Sequence, residues 1–229
     1  MKIERRALLL AVLLAAGCRG ERTTTPEPGG SGGEGEQLPT HDTAEGPPGY
    51  PGELIPTQEL EGQFMARQKL KIVFEEREFE FGAVLQIAEG KLTVLGLTPF
   101  GTKAFVLTQT GSEVEFEALL DREMPFPPEY ILQDIHRTLL WGARLPWGAE
   151  GPEGGEGSVE VAGERVTERW SEAGLEQRSF ERLDGQPAGV ISVEYVGGHR
   201  PERPAKKVIM RNGWFGYDLT IQTTQWRDL

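Results

Sequence analysis

Catalysis needs titratable or nucleophilic side chains that converge on one place, and this chain offers few of them. Its three histidines are His41, in a Gly/Pro-rich stretch, His136, between apolar residues of a helical pattern, and His199, in a Gly/Pro-rich loop. The spacing around His136 predicts a residue on the surface or boundary of a helix. No Gly-x-Ser-x-Gly elbow, no His-Glu-x-x-His metal pattern and no Gly-x-Gly-x-x-Gly after a strand occurs. Ser171, Ser179 and Ser192 could act as nucleophiles only if the fold brought one of them to His136 or His199. Paired carboxylates such as Glu75-Glu76 could do glycosidase chemistry. Glu113, Glu115 and Glu117, however, recur every second residue, which places them on one wet face of a strand. The expectation is a protein that is not an enzyme and carries no metal and no cofactor.

The remaining reactive side chain is Cys18, the single cysteine. Lys2, Arg5 and Arg6 precede an apolar run from Ala7 to Ala16, then Gly17 and Cys18. A basic start and a short apolar core read as a secretory signal, too short to span a bilayer. Leu14-Ala15-Ala16-Gly17-Cys18 resembles a lipobox, the site cut before a diacylated cysteine. The expectations are cleavage of residues 1–17, lipid attachment at Cys18, and anchoring by more than one acyl chain. Arg19 follows Cys18, where an Asp would retain a lipoprotein in the inner membrane by the enterobacterial rule. The expected place is therefore the cell envelope, at the outer membrane, with the domain facing the periplasm.

The formal charge is −12, and loss of Lys2, Arg5, Arg6 and Glu4 with the leader would make it two units more negative. That charge disfavours nucleic acid as a partner and restricts membrane contact beyond the anchor to apolar or very local patches. Residues 18–52 read as the lipidated Cys and an acidic Gly/Pro-rich tether with too little apolar content to fold. Such a coil reaches roughly 30 Å. Residues 53–229 then form a single β-rich domain.

The elements follow from periodicity. Strands of period two are expected at about 63–75, 77–88, 91–97 and 102–109, with Val114, Phe116 and Ala118 in a fifth. Pro127-Pro128-Glu129 opens a helix whose Ile131, Ile135, Thr138 and Leu139 share one face, ended by Trp141-Gly142. Residues 148–157 read as an acidic glycine-rich loop. Later strands are expected at 159–161, 178–180, 189–196, 207–211 and 217–223, the last two joined near Asn212-Gly213. The alternation predicts an antiparallel sheet with one wet face.

Apolar residues therefore carry the functional reading. Phe79, Phe81, Leu85, Ile87, Leu92, Val94 and Phe116 on the strands face Ile131, Ile135 and Leu139 on the helix. They either fill a core or line a cavity for acyl chains, and the sequence leaves both open. The turn Leu97-Thr98-Pro99-Phe100-Gly101 is unusually apolar for a solvent-exposed bend. Leu97, Pro99 and Phe100 could touch membrane or cargo there, or Phe100 could fold back as a lid.

Two long stretches, "GAVLQIAEGKLTVLGLTPFGTKAFVLTQTGSEVEFEALL" and "PPEYILQDIHRTLLWGARLPW", resemble a family of bacterial outer-membrane lipoproteins of unknown function. Some members are encoded beside aryl-polyene lipid genes, and the family is similar at a distance to the LolA/LolB lipoprotein carriers. The match rests on Gly-Leu-x-x-Phe-Gly (96–101), the strand 104–107 and Pro-x-x-Ile-Leu-x-Asp-Ile (128–135), with a weaker echo at Gly216-Tyr217-x-Leu-x-Ile. The resemblance implies an α+β fold, a half-open antiparallel β-barrel or strongly curved sheet capped by helix. It also implies an apolar cavity for an acyl-chain-bearing lipid or lipoprotein, and a periplasmic carrier protein as a partner. In LolB-like receptors a protruding loop between the third and fourth strands carries an apolar side chain, and the 97–101 turn falls in that place. Two other readings stay open: an accessory lipoprotein that docks a partner in an envelope assembly, and a lipid esterase.

Overall fold

A computed structural model describes residues 50–120, 128–140, 144–201 and 203–229. The leader, Cys18, most of the tether and the Trp141-Gly142 helix end lie outside the described residues. Eleven strands form one antiparallel sheet: β1 (Phe64–Phe74), β2 (Arg77–Ala88), β3 (Lys91–Leu97), β4 (Lys103–Thr110), β5 (Glu113–Ala118), β6 (Glu156–Val161), β7 (Glu164–Ser171), β8 (Gly174–Arg182), β9 (Val190–His199), β10 (Lys207–Asn212) and β11 (Tyr217–Asp228). The strand order is β5-β4-β3-β2-β1-β11-β10-β9-β8-β7-β6. First and last strands thus meet in the middle, and two meanders run outward from them. Both edges are open, and Glu113, Glu115 and Glu117 on one and Glu156 and Glu160 on the other are exposed. Rows of like charge discourage a second chain from pairing there.

The helix α1 (Pro128–Ile135) continues as a π-helical turn, His136–Leu140. His136 Nε2 lies 2.8 Å from Gln109 Oε1 on β4, while the neighbouring Arg137 bonds Glu164 on β7. Eight inter-strand steps separate β4 from β7, about 38 Å in a flat sheet. Two adjacent helix residues can reach both only if the sheet curls around the helix. The architecture is the expected one, a strongly curved, unclosed antiparallel sheet capped by a helix.

Three features depart from the sequence reading. Strand β7 is absent from that reading, because its inward positions are Glu164, Val166 and Glu168, and a buried acid reads as a wet one. The glycine-rich stretch ends in β6, which starts at Glu156. The third is the start of the folded part. Tyr50, three residues before the expected start at residue 53, is already buried, while Pro51 and Gly52 are half-buried. From there Tyr50, Leu54, Ile55 and Thr57 run buried on the inside of the sheet.

Two apolar clusters share the interior. The first gathers Tyr50, Ile55, Phe180, Ile191, Val193, Tyr195, Met210 and Trp214 under β7–β11. The second gathers Phe64, Leu85, Ile87, Leu92, Val94, Phe105, Leu107 and Leu132 under β1–β5.

Candidate functional site

The helix meets the two clusters with different chemistry. Its polar side chains Gln133, Asp134, His136, Arg137 and Thr138 are all buried, and Asp134 and Arg137 turn toward the first. Arg137 makes a paired bond to Glu164 (2.7 and 2.8 Å) and a third to the Pro51 carbonyl (2.7 Å). Its guanidinium lies 4.6 Å over the Phe180 ring and 4.8 Å over Trp214. Burial opposes the Arg137 charge, but the bonds and charge of Glu164 outweigh it and hold the group above its ordinary value. Arg178 donates to Glu168 (2.6 Å) and to the Arg137 carbonyl (2.9 Å). Glu168 also accepts the indole N–H of Trp147 and of Trp170. Every charge here has an opposite charge and hydrogen bonds, which burial requires.

Asp134 anchors the next turn. Its two carboxylate oxygens accept Tyr50 Oη (2.6 Å) and Tyr217 Oη (2.7 Å). Burial pushes its pKa up to about 6, against the pull of the two phenols and of Arg137. The bond to Tyr50 ties the N-terminal segment to the helix. Gly52 completes that tie: its φ is +123°, and a Cβ there would sit 2.6 Å from Arg137 Nη2, so only glycine fits.

His136 is not on the helix surface, as its flanking residues suggest; it is fully buried. Nδ1 accepts the Ile55 amide (3.2 Å), so Nε2 carries the proton and donates it to Gln109 Oε1 (2.8 Å). Burial, with Arg144 and Arg137 adding, pushes its pKa down to about 3. Both ring nitrogens are engaged, and none is free for a substrate. Ser179 and Ser192 pair across β8 and β9 at positions alternating with the buried Arg178, Phe180, Ile191 and Val193. They therefore face away from the interior that holds His136. His199 Nδ1 accepts the Ala205 amide (3.2 Å). Ser171 Oγ accepts the Ala173 amide (3.1 Å). Among the described residues no three His, Cys, Asp or Glu side chains could hold a metal together.

Toward the second cluster the helix presents the apolar stripe Ile131, Ile135 and Leu139, and it stays half-buried. Leu132 and Leu140 beside it are sealed in that cluster, and the polar positions between are buried too. Phe116 on the edge strand β5 packs against the same cluster and is also half-buried, its ring 5.9 Å from that of Phe105. Behind them Leu85, Ile87, Leu92 and Val94 are sealed, at 3 % exposure or less. Phe79 and Phe81 lie apart, half-buried against the first cluster. The structure thus gathers eight of the ten candidate lining residues, four as a packed floor and four as an incompletely covered rim. Gln68 shares the inward positions of β1 with Phe64 and Ala66, and its Nε2 is buried without a hydrogen-bond partner among the described residues.

The 98–101 turn is tight. Gly101 N–H bonds the Thr98 carbonyl (2.9 Å), and Thr98 and Thr102 are joined through backbone and hydroxyl. Pro99 suits the first turn position, and Gly101 takes φ +81°. The loop has no slack to fold back, and Phe100 is 95 % exposed, so it is not a lid. Leu97 differs from its neighbours: it is half-buried against Gly82 and belongs to the base of the turn. Gly96 has its own reason, because the Phe105 ring lies across it where a Cβ would stand.

Among the described residues no helix is long and apolar enough to cross a membrane. No curated protein matches the chain. Among solved structures it is similar to the LolA superfamily protein NE2245 of Nitrosomonas europaea, at 10 % identity and a TM-score of 0.40, over 73 % of this chain and 87 % of that one. It is also similar to a Vibrio parahaemolyticus domain assigned to outer-membrane lipoprotein sorting, at 11 % identity and a TM-score of 0.39, over 75 % and 88 %. The model of DUF3261, a protein family of unknown function, matches residues 65–225, from β1 to β11, and the chain belongs to that family.

Proposed function

We propose that the protein is a non-enzymatic carrier or receptor for acyl chains of lipids or lipoproteins, tethered to the outer membrane through Cys18. The observation that supports it is that Phe116, Ile131, Ile135 and Leu139 pack against one apolar cluster and are left half-covered, as a rim to it. An acyl chain laid along them would bury apolar surface at about 0.8 kcal/mol per methylene. A bound ester carbonyl would also offer an acceptor to the orphan amide of Gln68. Phe100, exposed at the end of a rigid turn, would be the element that enters membrane or cargo, with Pro99 beside it. Nothing in this mechanism needs a catalytic group, which accords with the engagement of both nitrogens of His136.

The test is native mass spectrometry of the full chain carrying Cys18→Ser, with a fluorescent fatty-acid titration. The reading expects co-purified lipid or saturable uptake, weakened by Ile131→Glu with Ile135→Glu. Absence of both would favour the accessory, partner-docking reading, for which the packed floor is the supporting observation.

A further inference from the structure

The outer face of the sheet carries a charge pattern that the overall acidity hides. Reading across the register from the Phe100 turn, Lys103 pairs with Leu97, Leu97 with Gly82, and Gly82 with Lys69. Lys69 pairs with Gln222, and Gln222 with Lys207. One row across six strands thus holds three lysines and no acid. All three lysines are exposed, and their strand neighbours Gln68 and Val208 are buried, which places Lys69 and Lys207 on the face opposite the core. Exposed Arg67 and Lys206 extend the row on one side. None of these five cations forms an ion pair among the described residues, whereas Lys71, one row further, is held by Glu78 at 2.6 Å. The acids begin at the borders: Glu80 opposite Lys71 and Glu117 opposite Val106.

We infer that this lysine row is a docking surface for the anionic headgroups of a phospholipid bilayer, working with the Phe100 tip. The inference rests on the tip reading above and adds the class of membrane that the tip enters. A chain of net charge −12 is repelled by an anionic surface at long range. Within a Debye length of about 8 Å, however, only the nearest charges count. Lys103 is three residues from Phe100, so it reaches headgroup level when the ring inserts. Lys69 and Lys207 follow along an arc of roughly 24 Å, five strand spacings. An apolar anchor combined with a cationic patch is the pairing that gives stable yet reversible attachment.

The test is co-sedimentation with large vesicles, in the full chain carrying Cys18→Ser so that all variants share one unacylated N-terminus. Vesicles of phosphatidylcholine alone are compared with vesicles containing phosphatidylglycerol. The variant K69Q/K103Q/K207Q should bind the anionic vesicles at least about tenfold more weakly, with binding to neutral vesicles and fatty-acid uptake unchanged. Replacing the same three lysines by arginine should preserve binding, and salt should abolish the difference. Wild-type-like binding of the glutamine variant to anionic vesicles overturns the inference. So does an equal loss on neutral vesicles at an unchanged melting temperature. Phe100→Ser reports on the tip separately: loss on both vesicle types supports the tip, and loss on neither removes the tip and with it the combined surface.

Discussion

The same helix is held on its two sides by opposite means. Its polar side chains are clamped by ion pair and hydrogen bond: Arg137 by Glu164 and Asp134 by Tyr50 and Tyr217 toward the first cluster, His136 by Gln109 on β4 and the Ile55 amide. Apart from His136 on Gln109, what it turns to the second cluster is apolar: Leu132 and Leu140 are sealed there, and Ile131, Ile135 and Leu139 remain half-covered. A purely apolar helix would sink until its stripe closed on the sheet. A buried ion pair adds little net stability over an apolar replacement of the same shape, but it fixes position. The clamp therefore sets the distance at which the helix stands, and the rim is what that distance leaves uncovered.

The largest effect should come from breaking the clamp. Glu164→Gln strands the Arg137 charge and should cost about 3–5 kcal/mol in urea unfolding. The double variant Arg137→Met/Glu164→Leu should lose far less stability yet bind fatty acid more weakly, because the helix is no longer held off. Equal stability loss in single and double variants would break the contrast between clamp and rim.

Acid should act on the clamped side next. His136, pushed down to about 3, and His199, pushed down to about 4, stay neutral in the fold while the unfolded chain takes up protons below 6.5. Each removes stability as pH falls toward 4. Asp134, raised to about 6, runs the other way, because the fold then holds a proton that the unfolded chain lacks. Two against one leaves a net loss of about 3 kcal/mol between pH 6.5 and 4. Urea unfolding at both pH values checks it, and Asp134→Asn should steepen the loss.

On the rim the expectation is inverted. Ile131→Glu/Ile135→Glu should weaken fatty-acid binding at least about tenfold while moving stability by about 1 kcal/mol or less, as suits half-exposed positions. Smallest of all, Phe100→Ser should leave stability within about 0.5 kcal/mol, a thermal melt being sufficient to see it, while reducing transfer of bound lipid to vesicles.

Most strands were legible because apolar and polar residues alternate, as in Phe79, Phe81, Ala83, Leu85 and Ile87 against Glu78, Glu80 and Gln86. The antiparallel sheet, the helix and the tight 98–101 turn follow from such local signals, whereas the curvature of the sheet was implied only by the family resemblance. The clamp did not show itself, because its residues are charged and charge reads as exposure. Glu164 and Glu168 hid β7, and the helix seemed to bury Ile131 and Ile135 when it buries Asp134 and Arg137. Only the curl of the sheet around the helix brings Arg137 to Glu164, a partner 27 positions away, and Asp134 to Tyr50, a partner 84 positions away. Local pattern holds no trace of such pairings. One signal was available: Asp134 stands inside the Pro-x-x-Ile-Leu-x-Asp-Ile stretch, an acid between Leu132 and Ile135.

The central claim is that acyl chains lie against the half-covered helix stripe, and photo-crosslinking tests it most directly. A fatty acid with a diazirine near its methyl end, irradiated with the full chain carrying Cys18→Ser, should attach to Phe116, Ile131, Ile135 or Leu139 in peptide maps. Attachment confined to residues of the first cluster, or none that excess unlabelled fatty acid competes away, would contradict the account.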